Sequence, residues 1–416
     1  MRLASLLASV IVLPVLIASE AQAGQTYSAG DFYGAIPRSP TNDPLKQCNG
    51  TDPAVAIVGC TAVIDNRNSS VALRSSALLA RSRAYLQSNQ AERAIADIEQ
   101  AIKLDPKNPV GLANRAYYHQ SQGDFGHALE DYNAAIAANP KYFEALNQRG
   151  SLRLQAGDPE KAIPDFDQAI AANPKFAPAF VNRGEAYRAQ GQADKAIENF
   201  TQAIQITPAF PEAFDYRGVA YVDKGDYARA VSDFDNALKL NPKMTMVYTH
   251  RAMAHAAAGD KDRALSDFDA ALKADPQDAF VYVSRGDLYE KLGDPDRAIT
   301  DYDKAIMVDR TYADAFNNRG TAYARKGEYN KAVVDFDQAI TLNSRLPDVY
   351  ANRGLALLKT AQYARAIADL DRALMSNPRD ATSMYNRGVA KQQTGDKTGG
   401  DADVARAKGM DPNIGQ

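Results

Sequence analysis

An arginine recurs every 34 residues, at Arg81, Arg115, Arg149, Arg183, Arg217, Arg251, Arg285, Arg319, Arg353 and Arg387. Sixteen residues after each stands an aspartate, except after Arg183, where Asn199 takes the slot. Two chemistries suit such a row. A ladder of guanidinium groups would bind an anionic ligand. Alternatively, each planar fork takes its own carboxylate in a bidentate pair. The pair is the stronger reading, because a partly buried arginine left alone costs several kcal/mol. Arg217 with Asp233, Arg251 with Asp267 and Arg319 with Asp335 are therefore expected as structural ion pairs, within one repeat or to the next. Arg183, facing Asn199, is expected to be the least well compensated.

Few other residues suggest chemistry. Cys48 and Cys60 form an even, close pair, which in an exported protein reads as a disulfide. The four histidines, His119, His127, His250 and His255, lie far from them in sequence. No glycine-rich phosphate loop, metal-binding cluster or nucleophile motif appears, so no catalytic residue, metal or cofactor is expected. The net charge of −3 over 416 residues leaves no basic stripe for nucleic acid.

The elements that position these residues follow from the same period. Pro106, Pro140, Pro174, Pro208, Pro242 and Pro276 are each 34 apart. Arg310 and Ser344 hold the next slots before Pro378 and Pro412. Ten copies fill 75–414, starting at 75, 109, 143, 177, 211, 245, 279, 313, 347 and 381. With the proline slot numbered 32, position 15 is mostly glycine and position 16 often aspartate. Glycine ends one helix in the left-handed conformation, and aspartate caps the next. Each copy is thus two antiparallel helices about a tight turn, which sets position 7 (arginine) opposite position 23 (aspartate). Position 8 is always small and position 24 always large and apolar, as in Phe166, Phe200 and Phe234. Pro164, inside a second helix, should kink it.

The run Phe180-x2-Arg183-Gly184-x2-Tyr187, Ala196-x3-Phe200, Pro208 resembles the tetratricopeptide repeat family. The arginine at position 7 departs from the family's frequent leucine. The resemblance implies an all-α fold: a right-handed α-α superhelix of ten helix-turn-helix repeats, with the first helices lining a concave groove. It places positions 2, 5, 6, 9, 12 and 13 on that groove. Position 6 carries Asn114, Gln148, Asn182, Asn318, Asn352 and Asn386. These amides resemble the asparagine ladder of O-linked N-acetylglucosamine transferase repeats, which implies peptide-backbone binding. Positions 2, 5 and 6 lack the basic residues of the family's carboxylate-clamp proteins, so partners of that class are not expected. Copies 1–9 place nine acids on the groove (Glu144, Glu185, Glu212, Asp215, Asp223, Asp287, Glu290, Asp314, Asp348) and five bases (Arg83, Arg188, Lys291, Arg325, Lys359). This balance favours a basic or neutral extended partner.

The ends complete the organisation. Met1-Arg2, an apolar run to Ala18 and Ala21-Gln22-Ala23 read as a signal peptide over 1–23, cut after Ala23. Residues 24–52 are expected as a flexible lead. Residues 53–74 are expected as an N-terminal cap helix, a half-repeat stapled by the disulfide. The last copy, with Gly399 and Gly400 in mid-helix, reads as a terminal cap. No later segment is apolar enough to span a membrane. The expectation is an exported protein, periplasmic or extracellular, that catalyses nothing and binds a protein or peptide in its groove. The alternative is a scaffold for an envelope assembly such as polysaccharide export or secretion.

Overall fold

The structure, a computed structural model, describes residues 43–346 and 348–415. The segment expected as a signal peptide and the lead up to 42 lie outside them. Among the described residues are twenty-two α-helices and no strand. They fall into two compact units, the first ending at Pro242 and the second beginning at Lys243.

In the first unit, five hairpins follow a short N-terminal one. They pair Val71–Gln87 with Ala91–Leu104, Pro109–Ser121 with Phe125–Ala138, Phe143–Gln155 with Pro159–Ala172, Ala177–Ala189 with Ala193–Ile206, and Pro211–Asp223 with Tyr227–Leu240. The second unit pairs Thr245–Ala257 with Lys261–Ala274, Ala279–Lys291 with Pro295–Val308, Ala313–Arg325 with Tyr329–Leu342, Val349–Lys359 with Tyr363–Ser376, and Ala381–Gln393 with Lys397–Met410. Within each unit, every second helix also packs on the first helix of the next repeat, and from Pro109–Ser121 onward in the first unit and throughout the second, successive first helices touch. No pair of second helices packs comparably, so the first helices form the crowded, inner row of each unit.

The turns behave as their residues require. Glycine at position 15 adopts positive φ, for example +76° at Gly225. Asp226 then accepts the backbone N–H of Arg229 at 3.1 Å and caps the next helix. Repeat 9 has no glycine there, and Ala361 is held at φ 59°. The left-handed conformation costs a residue with a Cβ about 1–2 kcal/mol. Ala361→Gly should therefore stabilise the protein by about 1 kcal/mol, seen as a higher denaturation midpoint. A lower midpoint would contradict this.

Small and large residues interlock between the two helices of a repeat. A Cβ on Gly184 would stand 2.6 Å from Cε1 of Phe200, whose side chain is wholly buried. The same relation holds for Gly150 with Phe166 and Gly218 with Phe234. Alanines 196 and 203 close the second helix onto its neighbours with no exposed surface.

Two expectations need correction at the N-terminus. The lead expected over 24–52 contains a helical turn, Pro44–Cys48, capped by Asp43 and carrying the buried Cys48. The helix expected within 53–74 is Pro53–Asp65, and the next begins at Val71, four residues before the array was expected to start. The reason is local. Asp43-Pro44 and Asp52-Pro53 each supply a capping carboxylate followed by a proline at the first helical position. Cys48 and Cys60 join the two helices in a disulfide, with Cα atoms 4.4 Å apart. The helix Pro159–Ala172 runs on through Pro164. Beside the proline, Arg153 Nη1 donates to the Lys161 carbonyl (3.3 Å) and to Asp165 (2.7 Å).

Candidate functional site

Position 7 projects from each first helix toward its own second helix, and there the arginines find their carboxylates. Arg217 donates from Nε and Nη2 to both oxygens of Asp233, each at 2.8 Å. Arg251 does so to Asp267 at 2.9 and 2.7 Å, and Arg319 to Asp335 at 2.8 and 2.7 Å. These aspartates are more than nine-tenths buried. The hydrogen-bonded carboxylates raise the pKa of the Arg217 and Arg319 guanidinium groups above its ordinary value.

The third guanidinium nitrogen reaches backward, a contact the sequence reading did not isolate. Arg319 Nη1 donates to Asp303 of the preceding repeat at 2.6 Å. Arg285 meets Asp269, Arg353 meets Asp337 and Arg387 meets Asp371 in the same way. Position 25 thus carries a second acid row, and each such arginine staples two repeats. Arg183 donates to Asn199 Oδ1 (2.8 Å) and also to Asp167 (2.5 Å), so its charge is met after all. Arg217 is the contrasting case, because its backward partner is the hydroxyl of Thr201 at 3.1 Å. The arginine row is occupied by this stapling, and its chemistry is structural.

The first helices carry the remaining polar groups. The amides of position 6 do not form one uniform ladder. Asn182 is buried and donates to Asn147 Oδ1 of the preceding repeat at 3.0 Å. Asn318 donates to Asp287 Oδ1 at 2.9 Å and accepts from Asn317 at 3.2 Å. Asn114, Gln148, Asn352 and Asn386 are half-buried on their own first helices.

Carboxylates dominate the same face of the first unit. Arg188 holds Glu185 with two bonds of 3.0 and 3.1 Å and reaches Asp223 at 3.5 Å. Asp215, itself buried, adds a third negative charge that acts on Glu185. Burial pushes the Glu185 and Asp223 carboxyls above their ordinary range, against the pull of Arg188. In the second unit, Asp287 accepts from Tyr302 (2.7 Å) and Asn318, and burial raises its pKa.

Glu144 stands apart. Both its carboxylate oxygens are buried without a hydrogen-bond partner. Burial pushes its pKa up to about 7. A carboxyl raised in the folded state penalises folding once ionised, so its cost appears as pH rises from about 4.5 through about 7. Glu144→Gln should raise the melting temperature at about pH 8 and leave it unchanged at about pH 4. Equal shifts at both pH values would show that ionisation is not the cause.

No helix among the described residues is long and apolar enough to cross a membrane. Among solved structures, the chain is similar to a tetratricopeptide repeat protein from Parabacteroides merdae, with 24% identity, a TM-score of 0.51, and coverage of 60% of this chain and 99% of that one. It is similar to the APC/C hetero-tetramer Cut9-Hcn1 at 14% identity and a TM-score of 0.50, over 83% of this chain and 84% of that one. PilW, a type IV pilus biogenesis factor, aligns at 23% identity with a TM-score of 0.47, over 50% of this chain and 96% of that one. At such identities the first two likenesses bear on the fold alone. No curated protein sequence matches the chain. Tetratricopeptide repeat models match residues 79–142, 113–165, 217–279 and 352–410. Further models of these repeats match 166–198, 184–225, 291–327 and 313–346. The recurring hairpin, its turn glycine and its glycine–aromatic interlock are the physical content of those matches, and the chain belongs to the tetratricopeptide repeat family.

Proposed function

We propose that this protein is a non-catalytic binding module for an extended, cationic segment of a protein partner, held on the first-helix face. Tetratricopeptide repeats mediate protein–protein interaction. The observation that carries the cationic preference is the cluster in which Glu185 and Asp223 share one guanidinium, that of Arg188. Two carboxylates against one cation, partly withdrawn from water, leave an excess of negative potential that a lysine or arginine would neutralise. The half-buried amides of Asn114, Asn352 and Asn386 would meet the partner's backbone. Two features support action outside the cytoplasm: the buried Cys48–Cys60 disulfide and the apolar N-terminal run ending in Ala21-Gln22-Ala23.

Fluorescence anisotropy tests this reading. Labelled twelve-residue peptides alternating lysine with apolar residues, and matched glutamate peptides, are titrated with the full chain. The lysine peptides should bind, weaken as salt rises, and lose about tenfold in affinity with Asp223→Asn. Circular dichroism establishes that the variant folds. Tighter binding of the glutamate peptides would reject the proposal.

A further inference from the structure

Two of the four histidines meet at the turn of the second repeat, and the fold enforces the meeting. Position 11 lies near the end of each first helix, and position 19 in the first turn of the second helix. In many repeats this pair is an aromatic ring and a cation. The Arg229 guanidinium lies 4.5 Å from the Tyr221 ring centre, and Arg297 lies 4.5 Å from that of Tyr289. Lys195 over Tyr187 and Lys331 over Tyr323 repeat the contact at 5.1 Å. Where position 16 is aspartate, it caps the second helix and also holds the cation, as Asp226 holds Arg229 Nε at 2.6 Å.

Repeat 2 fills these three positions with His119, Asp124 and His127. The two imidazole centres stand 5.4 Å apart. Asp124 Oδ1 accepts the backbone N–H of His127 at 3.2 Å, which fixes the carboxylate. Its Oδ2 lies 2.6 Å from His127 Nδ1 and 3.8 Å from His119 Nδ1. His119 Nε2 is 4.0 Å from Asp131, the carboxylate that Arg115 holds with two bonds of 2.7 and 2.8 Å.

The geometry points to a site for a divalent transition metal, bound by Nδ1 of His119, Nδ1 of His127 and Oδ2 of Asp124. Imidazole nitrogens with one carboxylate oxygen suit zinc, nickel or copper, and both thiols are committed to the disulfide. At bond lengths of about 2.1 Å, donors around a tetrahedral ion stand about 3.4 Å apart. Among the described residues no three such side chains already stand in a metal-binding arrangement, so the site forms by adjustment. The distance from His119 to Asp124 must shorten by about 0.4 Å, and that from His127 must lengthen by about 0.8 Å. His127 has room to do so, because its side chain is 66% exposed. The proton now shared between His127 and Asp124 leaves as the metal takes its place. Asp131, 4.0 Å from His119 Nε2, is a carboxylate neighbour on the far side of that ring, where metal-bound histidines commonly have one. Open coordination positions remain for water or for a donor from another molecule.

Isothermal titration calorimetry of the untagged full chain with Zn²⁺, repeated with Ni²⁺, tests the site. His119→Tyr and His127→Arg restore the ring–cation pair that other repeats carry, so both variants should fold, which circular dichroism checks. The expected result is one saturable site per chain, tighter than about 100 µM, that releases protons and weakens at least about tenfold in each variant. Absence of saturable binding, or binding unchanged in both variants, would overturn the assignment.

Discussion

Asp233→Ala should be among the most damaging single substitutions in the arginine–aspartate rows, lowering stability by about 3 kcal/mol. The reason is the uneven supply of second partners. Asp233 gives Arg217 its one carboxylate, since Thr201 offers only a hydroxyl. Without Asp233, a half-buried guanidinium faces no counter-charge. Asp335→Ala removes the same bidentate bond from Arg319, but Asp303 of the preceding repeat remains at 2.6 Å. Its cost should be less by about 1 kcal/mol or more. Asp233→Asn should fall between, because the amide oxygen can still accept, as Asn199 does from Arg183 at 2.8 Å. Urea denaturation of the three variants gives the order. Equal midpoints for Asp233→Ala and Asp233→Asn would mean that charge does not hold Arg217 in place.

Phe200→Ala should cost about 3–5 kcal/mol. The ring is wholly buried between its own repeat's two helices, and Tyr216 of the next repeat stacks on it at 5.9 Å. Gly184→Val reaches a similar end by the opposite route, since even a Cβ would lie 2.6 Å from the ring. Because one change empties the space the other overfills, the two should not be additive. Gly184→Val should be far less harmful in the Phe200→Ala background, a coupling of about 1–3 kcal/mol. Additive costs in the double variant would argue that glycine and ring do not share this space.

Much of the fold was legible because each repeat states its reasons locally. The glycine at position 15, the aspartate at 16 and the fixed period decide the hairpin before any long-range contact is considered. The pairing of Arg217 with Asp233 followed from folding that hairpin about its turn. What escaped were contacts between repeats. Asp303 stands sixteen residues before Arg319 just as Asp335 stands sixteen after it, so the backward staple had a sequence signal of the same kind. It went unread because hairpin logic alone does not say which neighbour a side chain reaches. The engagement of Asn182 with Asn147 has the same origin. The helix at Pro44–Cys48 lies outside the period and showed only as a proline after a capping aspartate. The proximity of His119 and His127, eight residues apart, became meaningful once the ring–cation contacts of other repeats showed that positions 11 and 19 meet.

The central claim is that the second helices and the arginine rows hold the stack together, while the first-helix face does the binding. Hydrogen–deuterium exchange of the full chain, with and without a saturating lysine-rich extended peptide, tests it most directly. The account predicts added protection in Phe143–Gln155, Ala177–Ala189 and Pro211–Asp223, with little change in Ala193–Ile206 and Tyr227–Leu240. Protection concentrated in those second helices, with the first helices unchanged, would contradict it.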